Sequence, residues 1–379
     1  SMPHPSIKAI TIHHFRNILS AQLETASINI ISGDNGSGKS SLLEALYYLS
    51  HLKSFRTSKP QRLIHHDHDH FILHSTVASS NDNLNIGLQR TLSHEQTLKL
   101  NGEPTKAQNI AYHLPMQFID TQCHQYFTSG PEKRRQYLNW GLFHMEQSFL
   151  STWRACTGLL KQRNAALKLR QTNGLNCWDI QWVPLCETIH KMRQDYVDGL
   201  NPVFMKLIKQ LLNTEYPQVE LRYQAGWNTD KPLCSLLEER YYKDVELGYT
   251  QLGPHRADLQ IFINNKPALD YLSQGQMKLS AYALKISQSI LHKETIGKSP
   301  IFLIDDIQAE LDHSKQDTII QLISDLDNQC FYTALNPSRL KQSLDTNMEI
   351  TQFHVKHGAF SVPTHESLSQ KAVENLITH

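Results

Sequence analysis

Gly33-Asp34-Asn35-Gly36-Ser37-Gly38-Lys39-Ser40 decides how this chain reads, because it matches the phosphate-loop pattern G-x-x-x-x-G-K-[ST]. Its flanks have the character the pattern requires. The apolar run Ile28-Asn29-Ile30-Ile31 precedes it and predicts a buried strand; residues 39–49 follow as a helix with Leu42, Leu43, Leu46 and Leu49 toward one side. Gly33, Gly36 and Gly38 let backbone N–H groups turn inward around phosphate oxygens, and the helix N-terminus adds positive potential. The expected ligand is ATP with Mg²⁺. Lys39 would bridge the β- and γ-phosphates and Ser40 would ligate the metal, with Asp34, Asn35, Ser37 and Ser41 in the same binding stretch.

A second pole lies about 265 residues further on, at Ile301-Phe302-Leu303-Ile304-Asp305-Asp306. An all-apolar strand ending in two acids suits a parallel sheet buried on both faces, which delivers its last side chains to the crevice where ligands bind. Asp305 would hold Mg²⁺, directly or through water, opposite Ser40. Asp306 would orient the attacking water or accept its proton. Between the poles, Ser273-Gln274-Gly275-Gln276 opens a helix. As S-x-x-Q it is a capping box that suits any helix start. It also stands some thirty residues before the acidic strand, where ATP-binding-cassette proteins place the signature whose Ser hydroxyl and Gly N–H grip the γ-phosphate of a second subunit. The segment Ala309-Glu310-Leu311-Asp312 fits the D-loop of that architecture. A spacing this long is too great for a compact nucleotide kinase or GTPase.

Outward from the loop, Ile7, Ile10 and Ile12 predict a first strand, and residues 71–77, 84–88 and 98–100 predict further strands, with a hairpin turn at Asn101-Gly102. The pattern becomes helical near Pro131. Leu142, Met145, Phe149, Trp153, Cys156 and Leu160 recur every three or four residues over 132–171. A second stretch carries Leu185, Ile189, Met192, Tyr196 and Leu200, and Pro202 is expected to kink or restart it. No heptad run is long enough for an extended coiled coil. After Gly248 the α/β pattern returns, with a strand at 259–263, a helix at 276–291, a helix at 318–326 and a strand at 330–333. The expected organisation is residues 1–130 and 246–379 forming one α/β head, with 131–245 as an inserted helical lobe.

Composition bounds the rest. With 379 residues and 40% hydrophobic residues the chain can fill real cores, and no apolar run approaches the ~20 residues that span a bilayer. A formal net charge of +1 announces no strong field for a nucleic-acid partner, so DNA binding would need a local or dimer-assembled patch. Six cysteines without a CxxC pair predict a reduced, cytoplasmic chain with no zinc site. The run His65-His66-Asp67-His68-Asp69-His70 looks like a metal cluster, but consecutive side chains cannot all point at one ion and no second group is evident. Lys133-Arg134-Arg135 reads by default as a solvated face, with DNA phosphates or a partner as the alternative.

Taken together these residues resemble the RecF family of the structural-maintenance-of-chromosomes branch of ATP-binding cassettes. The likeness covers nearly the whole chain: His14-Phe15-Arg16-Asn17, the phosphate loop, Gly130-Pro131 with Lys133-Arg134-Arg135, Gly253-Pro254-His255-Arg256-Ala257-Asp258-Leu259, Ser273-Gln274-Gly275-Gln276, and Asp305-Asp306 through Glu310-Leu311-Asp312. The resemblance implies an α/β head of the cassette P-loop ATPase type, built from N- and C-terminal segments with an inserted helical lobe. It implies ATP-driven homodimerisation on duplex or gapped DNA, slow hydrolysis coupled to release, help in loading RecA at single-strand gaps, and RecR with RecO as partners. By the same resemblance Arg16, Ser273, Gly275, Gln276 and Asp312 join the nucleotide-binding set, and Gln122, in Asp120-Thr121-Gln122, is the Q-loop residue near the metal. Thr333-Ala334 stands where transporter cassettes carry a switch histidine, which suggests a different γ-phosphate sensor. The competing reading is a transporter's nucleotide-binding subunit; the large insert, the 253–259 block and the two acids argue against it.

Overall fold

The structure, a computed structural model, describes residues 4–79, 82–171, 173–212, 218–309, 311–344 and 347–362. Glu310, Thr172 and the tail from 363 lie outside these. The chain divides into two compact units, one comprising residues 1–122 and 292–379, the other Cys123–Leu291. The helical window 131–245 lies inside the second unit.

The first unit carries two six-stranded sheets. One is antiparallel, in the order β2-β1-β4-β5-β6-β7, from β1 (Ser6–Phe15), β2 (Ile18–Glu24), β4 (His70–Ser79), β5 (Asp82–Thr91), β6 (Gln96–Leu100) and β7 (Glu103–Pro104). Ile7 and Ile10 are both buried although an odd spacing should place them on opposite faces; a register shift between Ile7 and Ala9 restores them to one side. Asn101 and Gly102, both at positive φ (53° and 80°), turn β6 into β7 as the sequence predicts.

The other sheet is ordered β15-β14-β3-β13-β12-β8, from β3 (Ile28–Ser32), β8 (Met116–Ile119), β12 (Ile301–Ile304), β13 (Cys330–Ala334), β14 (Ile350–Lys356) and β15 (Ala359–Ser361). All of its pairings are parallel except the β14–β15 hairpin. Every residue of β3, β12 and β13 is buried, as continuous apolar strands covered on both faces should be. Helix α1 (Lys39–His51) contributes Leu42, Leu43, Leu46 and Leu49 to a core shared with Ile10, Ile12, Phe71 and Leu73 of the antiparallel sheet and Ile31, Leu303, Phe331 and Phe353 of the parallel one. Truncating one of these leucines to Ala would cost about 2–5 kcal/mol. Helices α2 (Ala107–His113), α10 (His313–Ser324) and α11 (Pro337–Ser343) complete the unit.

The second unit is mainly helical: α3 (Gln125–Thr128), α4 (Glu132–Met145), α5 (Phe149–Lys168), α6 (Leu175–Leu212), α7 (Leu233–Glu239), α8 (Tyr241–Leu247) and α9 (Gln274–Ile296), whose last turns pass into the first unit. A three-stranded antiparallel sheet, β11-β10-β9, is formed by β9 (Val219–Gln224), β10 (Asp258–Ile263) and β11 (Lys266–Pro267). Two expectations are corrected here. The single helical stretch over 132–171 is two helices, because Glu146 leaves helical geometry at φ −118°, ψ 108° and ends α4. Of the two outcomes expected at Pro202, a kink or a restart, the restart does not occur: α6 runs on through both Pro184 and Pro202. An internal proline costs about 3 kcal/mol. Burial of Leu200, Phe204, Leu207, Ile208 and Leu211 offsets it, and the Asn201 side chain exchanges two hydrogen bonds with the Leu221 backbone at 2.8 and 2.9 Å.

Candidate functional site

The phosphate loop leaves β3 and enters α1, as its sequence predicts. Gly38 is the N-cap of α1 in left-handed geometry (φ 118°), and no side chain caps the helix. Two helices of the same unit differ, although α2, like α1, has no side-chain cap. Asp312 caps α10 by accepting from Lys315 N at 2.8 Å, and Asn336 caps α11 by accepting from Arg339 N at 3.2 Å. The first-turn amides of α1 are thus left to an external anion. A cavity of about 490 Å³ opens there, lined by Arg16, Asn35, Gly36, Gly38, Lys39, Ser40 and Ser41 among the expected residues. Gly33, Asp34 and Ser37 shape the loop instead of lining this space. Gly33 is packed so closely on β14 that a Cβ would collide with the Val355 carbonyl oxygen, and Ser37 N donates to Asp34 O at 3.0 Å.

Sequence reading missed several lining residues. Asn17 donates to Ser37 O at 3.2 Å, and Arg56, Arg62 and His66 complete the wall. Arg56 and Arg62 come from the segment after α1, whose only signal was its density of basic residues. With Arg16 and Lys39 they place four cationic side chains around one cavity, a field made for a polyanion. Arg16 is fixed by a two-pronged ion pair with Glu44, at 2.7 and 3.0 Å, while Ser54 Oγ and Arg56 also reach that carboxylate, at 2.5 and 3.4 Å. Burial lowers the Arg56 guanidinium from its usual value, against the opposing pull of Glu44.

At the far strand, Asp305 and Asp306 leave the carboxyl end of β12, and Asp305 N donates to Ile119 O of neighbouring β8 at 2.8 Å. Asp306 is held at φ 49°, a left-handed conformation uncommon outside glycine. What holds the pair is Thr333, buried on β13 between the loop strand and the acidic strand. Its hydroxyl donates to Asp305 Oδ1 at 2.6 Å and accepts from Asp306 N at 2.9 Å. At the position where transporter cassettes carry a switch histidine, the Thr333 hydroxyl is thus engaged by both acids. Gln122 lies three residues beyond β8, exposed, with its backbone N–H on Asp120 Oδ1 at 3.0 Å. Asp305, Asp306, Gln122 and Asp312 do not line the 490 Å³ cavity.

In the second unit, Ser273 and Gln276 form the reciprocal capping box: Ser273 N donates to Gln276 Oε1 at 2.9 Å and Gln276 N to Ser273 Oγ at 3.2 Å. A Cβ on Gly275 would meet nothing within 4 Å. The basic run is corrected. Arg134 is buried and pairs with Asp258 at 2.8 and 3.3 Å, and Arg135 donates to Ala257 O at 3.1 Å. Only Lys133 of the three is exposed; Arg135 is half-buried. Arg193 donates to Pro254 O at 2.8 Å, so the 254–258 block is clasped by three arginines. His255 is held below its ordinary pKa chiefly by burial, with Nε2 on Thr250 O at 2.8 Å. The block's chemistry is first of all that of a structural clasp.

Known proteins match this architecture closely. The family model of the RecF/RecN/SMC N-terminal domain matches residues 6–358. The chain is 39% identical over 357 residues to the DNA replication and repair protein RecF of Coxiella burnetii, covering 93% of this chain and 98% of that one. It belongs to the RecF family. A Shewanella woodyi member is 38% identical over 369 residues, covering 95% of this chain and 100% of that protein. A solved structure of the recombination mediator protein RecF with ATP, in the RecFOR pathway, superposes with TM-score 0.85 at 26% identity, over 96% of this chain and 99% of that one. An Smc head domain from Pyrococcus furiosus shares the fold alone, with TM-score 0.56 at 15% identity. The cassette-type ATPase head expected from the sequence is the fold observed.

Proposed function

We propose that this chain is an ATP-operated DNA-repair switch of the cytoplasm: a weak, DNA-stimulated ATPase that pairs head to head on ATP, clamps duplex or gapped DNA, hydrolyses slowly and helps load RecA at single-strand gaps with RecR and RecO. The observation that carries it is the uncapped N-terminus of α1 facing a cavity walled by Arg16, Lys39, Arg56 and Arg62. That is a triphosphate site built from amide dipoles and fixed cations. The names of the relatives, DNA replication and repair protein RecF and a RecF–ATP complex, support the wider reading.

Lys39 holds the β- and γ-phosphates, and the loop amides turn to the phosphate oxygens. A hydroxyl from Ser40 and a carboxylate from Asp305 are hard oxygen donors of the kind Mg²⁺ takes, and Thr333 orients the carboxylate for that role. Mg²⁺ would neutralise charge developing on the phosphoryl oxygens. Asp306, in its strained turn, orients the attacking water or accepts its proton. Gly275 supports the pairing. A helical glycine costs about 1 kcal/mol relative to alanine. Among the described residues nothing would crowd a Cβ there, which leaves room for close approach by another molecule. In a paired state Ser273 and Gly275 of one copy grip the γ-phosphate held by the other.

Sedimentation with a non-hydrolysable ATP analogue tests this. Wild type should shift from monomer to dimer, while Lys39→Ala, unable to bind, and Ser273→Arg, binding but sterically blocked, should stay monomeric. A salt series with duplex, single-stranded and gapped DNA should show steep salt dependence only with nucleotide. A nucleotide-loaded wild type that never pairs would overturn the proposal.

A further inference from the structure

The histidine-rich turn at residues 65–68 holds ligand geometry that its linear sequence hides. Consecutive side chains diverge, but residues 65 and 68 meet because a turn closes between them, His68 N donating to His65 O at 3.0 Å. Their Nδ1 atoms lie 3.2 Å apart. Two nitrogens bound at 2.0–2.1 Å to a tetrahedral zinc ion stand about 3.3 Å apart, so this pair already has the required bite. Further donors are near: one ligand atom each of His65, His66 and Asp67 falls within 4.8 Å of the others, and His66 Nε2 is 3.2 Å from Asp67 Oδ2.

A second element anchors the turn. His65 N donates to His14 O of β1 at 2.8 Å, and Phe15 forms a β-bridge with Ile64. The His14 ring stacks on His68 with centroids 3.5 Å apart and planes 13° from parallel, which limits the directions the His68 ring can take. His14 Nδ1 is itself buried with no hydrogen-bond partner among the described residues.

We propose that this turn binds one divalent transition-metal ion of the zinc type, with His65 and His68 as paired Nδ1 ligands and the exposed side chain of Asp67 or His66, which now clusters with His65 alone, rotating in to close the set. Imidazole nitrogen with a single carboxylate suits Zn²⁺, Cu²⁺ or Ni²⁺ and does not suit Mg²⁺. The site is distinct from the Ser40 and Asp305 pair and needs no nucleotide. It lies beside the nucleotide cavity, whose wall includes His66, so a bound ion would brace that wall.

The test is calorimetric titration of Zn²⁺ into the untagged, nucleotide-free full chain. Wild type should bind one equivalent that His65→Gln/His68→Gln binds at least tenfold more weakly, while a control at exposed histidines elsewhere, His74→Gln/His313→Gln, keeps it. Equal affinity and stoichiometry in the double variant would overturn the site and leave the Nδ1 pair as a plain imidazole hydrogen bond. Zinc-edge X-ray absorption on the wild type with one equivalent does not depend on the variant folding. It should show imidazole scattering from at least two rings, and a sulfur or all-oxygen shell would equally sink the proposal.

Discussion

The Thr333 hydroxyl sits between the two acids of the β12 terminus, donating to Asp305 Oδ1 at 2.6 Å while accepting from Asp306 N at 2.9 Å. One buried side chain on the middle strand thus sets both the direction of the carboxylate proposed as a metal ligand and the strained backbone of the candidate base. Thr333→Val keeps the shape and removes the hydroxyl. Expected effects are a loss of about 1–3 kcal/mol in stability from the two hydrogen bonds lost to Asp305 and Asp306 and a fall in kcat of about 10–100-fold. ATP affinity should change much less. Thr333→Ser should restore turnover; if it stays as slow as the valine variant, Thr333 has no positioning role.

The loop is also gripped from behind. Gly358, in the β14–β15 turn at φ 77°, donates to Ser37 O at 2.7 Å, and a Cβ there would collide with the Asn17 carbonyl oxygen. Gly358→Ala touches no ligand, yet it would push the hairpin off the loop and add about 1–2 kcal/mol of left-handed strain. Nucleotide titration should show ATP affinity reduced at least tenfold, together with a lower Tm. Unchanged affinity would mean the hairpin does not brace the loop.

How much of this was legible in sequence depends on whether the interaction is local. The phosphate loop, the capping box at Ser273 and Gln276 and the Asn101-Gly102 turn are each decided within a few residues, and each is found as read. Thr333 was visible only as a departure from a motif, because its partners Asp305 and Asp306 lie on another strand. Lys133-Arg134-Arg135 misled for the same reason: a charge run reads as solvated until Asp258, far along the chain, is seen to pair with Arg134. Pro202 does not end α6 because its local cost is outweighed by packing that no local window contains.

Glu44 is fully buried on α1 and carries no apolar signal, but it is the hub that positions Arg16 at the cavity wall. Arg16→Ala would leave that carboxylate with Arg56 at 3.4 Å and Ser54 as its remaining partners among the described residues. A cost of roughly 2–4 kcal/mol is expected, below that of a wholly unpaired buried charge. Glu44→Gln should be milder in stability but should free Arg16, weakening ATP binding with little change in fold. Chemical denaturation and nucleotide titration separate the two. Equal Tm in Arg16→Ala and wild type would remove Glu44 as the hub.

Acid should destabilise the protein through its buried histidines. His292, near the C-terminal end of α9, is pushed down to about 3 by burial, whereas an exposed imidazole titrates near 6.5. Between those values the unfolded chain takes up a proton that the folded chain refuses, so unfolding is favoured as the solution is acidified. The stability is complete above about pH 6.5 and declines as pH falls toward 3, by about 1.4 kcal/mol per pH unit for this one group. Burial lowers His255 and His4 as well, with the same sign. Tm measured from pH 7.5 to 5 should therefore fall, and His292→Gln, which cannot titrate, should flatten the slope by close to one proton. A slope identical in wild type and variant would show that His292 becomes protonated without cost in the fold.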